Sequence, residues 1–255
     1  MAIPPKPDCC GGSGAPASPE KEREMRAVVF EHDENTGVGR IGPALQQAGF
    51  TLVKRFRSVR REDVDAELVV VMGGHMGAYE GAQHPFLHEE IALLAERLAN
   101  ERPCLGICLG AQMMASAAGV DVFPGKNGFE VGAAPVRWTP EGLKDPVIAG
   151  VRPRTVVAHW HQDTFKPVPG ATLLASTDRY TQQAFRLGNS YGFQFHLELE
   201  ASVLDSWLTQ WPEELNHHGT DISAVRNQLP KLKAAQAELD ELMHRLAHHF
   251  AKAVR

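Results

Sequence analysis

The chain has 255 residues, 26 Lys+Arg against 31 Asp+Glu (a formal net charge of −5), and 43% hydrophobic residues. That length and apolar content can bury a sizeable core in one large α/β domain or two small ones. The mild acidity gives nucleic acid or an anionic membrane no electrostatic footprint. Cysteines stand at 9, 10, 104 and 108, without the spacing of a disulfide framework, and this usage fits a reducing, cytoplasmic setting. No apolar run approaches the ~20 residues that cross a bilayer.

Residues 1–24 read as a disordered N-terminal tail, punctuated by Pro and Gly and closed by a charged run, with no apolar segment of a secretory signal. Its Cys9-Cys10 pair is expected neither to bind metal nor to be oxidised. From Met25 the pattern is α/β. Residues 27–30 read as a buried strand, 37–49 as a helix ending at Gly49, and 50–56 as a second strand. The basic run Lys54, Arg55, Arg57, Arg60, Arg61 reads as a solvated edge and loop rather than a phosphate site. Residues 67–72 form a third strand running into Gly73-Gly74, and 84–100 an amphipathic helix with Pro85 in its first turn. Another apolar strand leads into residues 103–112, after which the pattern is helical to Gly119. Strands and helices alternating in this way predict a parallel sheet with helices on both faces and sites at the carboxyl ends of its strands.

Beyond Gly119 the character shifts to short strand-like runs at 131–138, 155–160, 172–176, 182–187 and 191–195. Residues 201–255 read as helices, broken at Trp211-Pro212. The terminal helix carries Leu239, Leu242, Met243, Leu246 and Phe250 on one face, a stripe expected to pack on the core rather than dock a partner.

The chemistry centres on Gly106-Ile107-Cys108-Leu109-Gly110, the spacing of a nucleophile elbow with Cys in place of Ser. Two glycines remove Cβ atoms where a strand turns sharply into a helix, and the residue between them is held strained. A cysteine there gains a helix N-terminus, which favours its thiolate, and backbone N–H groups for an oxyanion. Gly73-Gly74, at the end of strand three, could complete that oxyanion hole. Downstream, Gln194-Phe195-His196-Leu197-Glu198 places His196 and Glu198 on one face of a strand continuing past residue 195, so the carboxylate could orient the imidazole. Cys108, His196 and Glu198 then form a nucleophile–base–orienter set. Neither His-x-Glu here nor His159-Trp160-His161-Gln162-Asp163 comes with a partner metal motif, and no metal site is expected. Lys126 in Gly125-Lys126-Asn127-Gly128 lacks the spacing and the hydroxyl residue of a phosphate loop.

Together the Cys108 elbow with Gln112, the Gly73-Gly74 pair and the His196/Glu198 segment resemble a class I (triad) glutamine amidotransferase. The resemblance is nearest the stand-alone, GMP-synthase-like type and covers residues 26–200. It implies a flavodoxin-like open parallel sheet with flanking helices and a small antiparallel extension in 25–200; the helices of 201–255, outside the resemblance, read from their apolar stripe as an extension packed on the same domain. The resemblance also implies that Cys108 attacks the glutamine side-chain amide to give a γ-glutamyl thioester and ammonia. His196 then serves as base and acid with Glu198 orienting it, and the N–H groups of Gly74 and Leu109 form the oxyanion hole. Gly73, Gln112, Glu130 and His161 contact the substrate in this reading, and Asp163 completes a His-x-Asp segment near the pocket. No cofactor is implied. No synthetase domain or nucleotide signature accompanies these motifs, which leaves a glutaminase partnered with a separate synthetase, or a free-standing γ-glutamyl peptidase or transferase. A catalytically silent regulatory module would have lost a triad member, and none is lost.

Overall fold

A computed structural model of the protein describes residues 1, 25–34 and 37–254. Apart from Met1, the tail with Cys9 and Cys10 lies outside the described residues. The first half alternates as expected: β1 (Met25–Glu31), α1 (Ile41–Gln47), β2 (Phe50–Phe56), β3 (Leu68–Val71), α2 (Phe86–Ala99), β4 (Cys104–Ile107) and α3 (Leu109–Ala117). Then come β5 (Val122–Pro124), β6 (Glu130–Trp138), β7 (Arg154–His161), β8 (Asp163–Phe165), β9 (Thr172–Ser176), β10 (Ala184–Leu187) and β11 (Ser190–Phe193). Four helices close the chain: α4 (Ala201–Gln210), α5 (Pro212–His217), α6 (Ile222–Arg226) and α7 (Leu229–Ala253).

Nine strands form one sheet in the order β2-β1-β3-β4-β11-β10-β9-β6-β7. The pairings from β2 to β11 are parallel, and those from β11 through β10, β9 and β6 to β7 are antiparallel. β5 and β8 pair in a separate two-stranded sheet. The central strands are continuous apolar runs because both faces are covered. In β3, Leu68 and Val70 enter the core shared with α1 and α7, whereas Val69 and Val71 enter the core shared with α2 and α3. That split is the two-residue period of a strand. The α7 stripe joins the first core: Leu239, Leu242, Met243, Leu246 and Phe250 are all buried.

Four sequence readings are corrected. The first helix spans Ile41–Gln47 rather than 37–49. Gly39 has φ +51°, and a Cβ there would stand 2.8 Å from the Glu198 carbonyl oxygen. Arg40 donates its N–H to the same oxygen at 3.2 Å, so this segment buttresses the Glu198 loop instead of starting a helix. The second correction concerns the strand expected to reach 195, since β11 ends at Phe193. Third, the basic run is not all solvated. The Arg55 guanidinium forks onto both oxygens of buried Asp63, and Arg57 Nε donates to the His32 carbonyl at 2.8 Å. Fourth, Pro85 is the N-cap of α2, one residue outside its first turn.

Candidate active site

Cys108 lies between β4 and α3 with φ +52° and ψ −108°, a backbone conformation costly for any residue with a Cβ. Tight packing on both sides enforces it. A Cβ on Gly106 would come within 2.5 Å of the Gly110 backbone, and one on Gly110 would collide with the Val71 carbonyl. Cys108 N–H donates to Phe193 O at 2.8 Å, while Cys108 O accepts from Ala111 and Gln112 N–H at 3.0 and 3.2 Å. The residue therefore caps α3, and its thiol sits at the positive end of that helix. Its Sγ is 3.8 Å from Trp160 O and from Gln194 Nε2.

After β11 the chain leaves the sheet, and His196 makes a two-bond antiparallel bridge to Ala158 of β7. This bridge, rather than a continuing strand, aims the imidazole. His196 Nδ1 lies 2.7 Å from Glu198 Oε1, and both side chains are 3% exposed. Burial alone lowers the His196 pKa, but the Glu198 charge and the hydrogen bonds to Cys108 and Glu198 outweigh it and raise the value to about 10. A Cβ built on Gly73 would stand 3.1 Å from His196 Cε1 and 3.6 Å from Cys108 Cβ. The glycine lets strand three approach both.

A buried pair that sequence reasoning missed sits behind this glycine. His32 and Glu90 are both 0% exposed, with His32 Nε2 at 2.8 Å from Glu90 Oε2. His32 Nδ1 faces the carbonyls of Met72 and Gly73, each at 3.2 Å. The described chain has no cis peptide, so the Gly74 N–H points opposite to the Gly73 C=O and away from His32. Gly74 lines the cavity in front of Cys108, as Cys108 and His196 do. At the start of α3, Leu109 N–H is one of the helix-initial donors that have no partner within the helix.

The cavity holds about 300 Å³ and is lined also by Gln112 and His161. Glu130 is not among its lining residues and lies behind His161, with Glu130 Oε2 at 3.0 Å from His161 Nε2. Glu130 also accepts from Thr177 Oγ1 at 2.7 Å and from Gln183 Nε2 at 2.6 Å. Burial raises the Glu130 pKa, but the His161 hydrogen bond, the His159 and His161 charges and the Thr177 hydrogen bond hold it below the usual value. Gln112 spends its amide on Gln194 Oε1 at 3.2 Å and Asp163 O at 3.5 Å. Glu130, His159 and His161 form the one group among the described residues with three donor atoms near enough to share a metal, within 4.8 Å of one another. The Glu130 oxygens already bond His161, Thr177 and Gln183, and burial pushes His159 down to about 4, so the group is built as a brace for His161.

Residue order gave little warning that the C-terminal helices reach the cavity. Trp207 of α4, Trp211 at the break, Glu214 of α5 and His218 beyond it all line it. Trp207 packs edge-on to His196 at a centroid distance of 5.3 Å. The one usable signal was the cluster of Trp and Glu around the predicted helix break, and helical periodicity does not separate a cavity wall from core.

Residues 45–211 match the family model of glutamine amidotransferase class-I. A glutamine amidotransferase-like protein of Salmonella typhimurium, YfeJ, is 30% identical over 153 residues, 58% of this chain and 64% of that protein. The GMP synthase of Pyrobaculum aerophilum is 35% identical over 140 residues, 54% of this chain but 25% of that protein. The alignments thus span less than two thirds of either relative. A glutamine-hydrolysing GMP synthase subunit of Haloarcula marismortui is 31% identical over 159 residues, 61% of this chain and 77% of that protein. The crystal structure of a glutamine amidotransferase from Thermotoga maritima superposes with a TM-score of 0.79 at 30% identity, over 90% of this chain and 99% of that one. With the elbow, the sheet order and this match in agreement, the chain belongs to the class-I glutamine amidotransferase family.

Proposed function

We propose that this protein hydrolyses a γ-glutamyl amide through a thioester on Cys108. The observation that carries the reading is the buried alignment of Cys108 at a helix N-terminus with His196 and Glu198, the last two 2.7 Å apart. The Cys108 thiolate adds to the amide carbonyl, and the N–H groups of Gly74 and Leu109 receive the oxyanion. One such donor is worth ~10²–10³ in kcat. His196, held as imidazolium by Glu198, hands its proton to the departing nitrogen, then draws one from the water that cleaves the thioester. The His32–Glu90 pair fixes the Gly73–Gly74 peptide so that its N–H is already aimed. Gln112 and His161 shape the glutamyl end, and Glu130 acts on it through His161. Gly73 is not among the lining residues and packs against His196 and Cys108 instead.

Free thiols at Cys104 and Cys108 suit a reducing, cytoplasmic site for this chemistry. A second reading, delivery of ammonia to a separate synthetase, is favoured by relatives named as subunits of a glutamine-hydrolysing GMP synthase. Ammonia, amine and glutamate release from glutamine and a set of γ-glutamyl amides tests both. Turnover by the chain alone supports the first. Glutamine turnover that appears only with an added synthetase supports the second. Undiminished turnover by Cys108→Ala refutes both.

A further inference from the structure

The leaving-group side of the cavity is built for more than ammonia. His196 is the group that would protonate the departing nitrogen, so whatever that nitrogen carries must extend from His196 toward the mouth. A continuous run of rings lies along that path. Trp207 meets His196 at 5.3 Å, Trp211 and Trp160 follow at 5.2 and 5.7 Å from Trp207, and Phe129 stands 5.9 Å from Trp160. The run passes from buried Trp207 to half-buried Trp160, Trp211 and Phe129, with the Phe129 face stacked on His218 at 4.4 Å. Glu214 sits on this wall and accepts the Trp160 Nε1 hydrogen at 3.1 Å. Asp33, Glu80 and Asp163 line the cavity as well, with His75 and His218, and among the described residues no Lys or Arg lines it.

Resting on the hydrolase reading, we propose that the amine released by this site carries a second positive charge: the substrate is the γ-glutamyl amide of a diamine. The part-exposed Trp160 and Trp211 indoles attract a cation, and Glu214 supplies the countercharge beside them. A leaving group that ends in a carboxylate, as in a γ-glutamyl peptide, meets the Glu214 carboxylate on this path, where His218 is the one basic side chain. The chemistry is that of the parent reaction. The Cys108 Sγ–carbon bond forms as the carbon–nitrogen bond breaks, the His196 proton goes to the diamine nitrogen, and water then releases glutamate and restores the thiol.

The test uses Cys108→Ala, which retains the cavity without turnover, titrated by tryptophan fluorescence and calorimetry. The probes are γ-glutamyl-1,5-diaminopentane, the neutral γ-glutamyl-pentylamide and γ-glutamyl-5-aminopentanoate. The diamine amide should bind about tenfold tighter than the carboxylate amide, with the neutral amide between them. Glu214→Gln and Trp211→Ala, each made in the same background, should narrow that gap. Equal affinities, a preference for the carboxylate, no binding of the diamine amide, or a gap that survives both variants would overturn the subsite. Turnover by the wild-type chain is read separately. Selective binding without cleavage would refute the hydrolase reading while leaving the subsite standing, and cleavage without selectivity would do the reverse.

Discussion

His196 is where the site's electrostatics concentrate. Burial works against its charged form, and the Glu198 carboxylate 2.7 Å away overcomes that, so the ring keeps its second proton to about pH 10. In the proposed mechanism that proton is the one given to the leaving nitrogen. The kcat/KM profile should therefore hold through neutrality and fall as pH rises through about 10. Replacing Glu198 with Gln removes the charge that raises the value, and the falling limb should move down toward the ordinary 6.5 with a loss in kcat. A limb that stays in place would assign the shift to another group. The sign for stability is the same: a raised pKa adds stability below the unfolded value and loses it as pH climbs through the folded one. Much of this was readable in residue order. The Cys108 elbow is a local pattern, and the residue types at 196 and 198 suffice to nominate a base and its orienter. What residue order did not hold is how they are aimed, because the bridge from His196 to Ala158 joins segments far apart in sequence.

At the scale of elements, the site is the meeting of three strand ends, and glycines let them close. Gly110 packs against the Val71 carbonyl, so Gly110→Ala must push α3 off β3. A cost of about 1–3 kcal/mol is expected, typical of overpacking, measured by denaturant unfolding, and a neutral result would contradict the tight seating. The His32–Glu90 pair acts on the end of β3 through the Met72 and Gly73 carbonyls. His32→Gln should lower kcat by roughly 10-fold or more with little change in KM, short of the ~10²–10³ for removing a donor outright. Iodoacetamide should still alkylate Cys108 at the wild-type rate, since the thiol itself is untouched. Equal losses in kcat and in alkylation would mean that His32 merely supports the fold. Neither residue was legible beforehand, because a His after one strand and a Glu within a helix, 58 positions apart, carry no shared spacing. The Arg55–Asp63 fork was missed for a related reason: a run of basic residues reads as solvated until a buried acid is seen to face it.

The described chain joins a parallel half, which carries Cys108, to an antiparallel half and a helical C-terminus that wall the cavity. Alternation of strands and helices made the first half legible. The three-residue strands β5 and β8 were too short to register, and the amphipathic stripe of α7 could be assigned to core but not to a particular sheet face. That stripe is integral to the fold. Leu242 is fully buried in the core under α7, and Leu242→Ala should cost about 2–5 kcal/mol with a lowered Tm in a thermal melt. A melt like that of the wild type would detach the C-terminal helices from the domain. The C-terminal helices also bring Trp207, Trp211 and Glu214 to the cavity, a placement that only the assembled fold reveals.

The most direct test of the central claim is to trap the covalent intermediate. The wild-type chain is mixed with a γ-glutamyl amide, quenched in acid within the first turnovers and digested for mass spectrometry. The expected result is a single γ-glutamyl addition on the peptide containing Cys108, absent from Cys108→Ala. Amide cleavage without any adduct on that peptide, or an adduct on a different residue, would contradict the thioester mechanism.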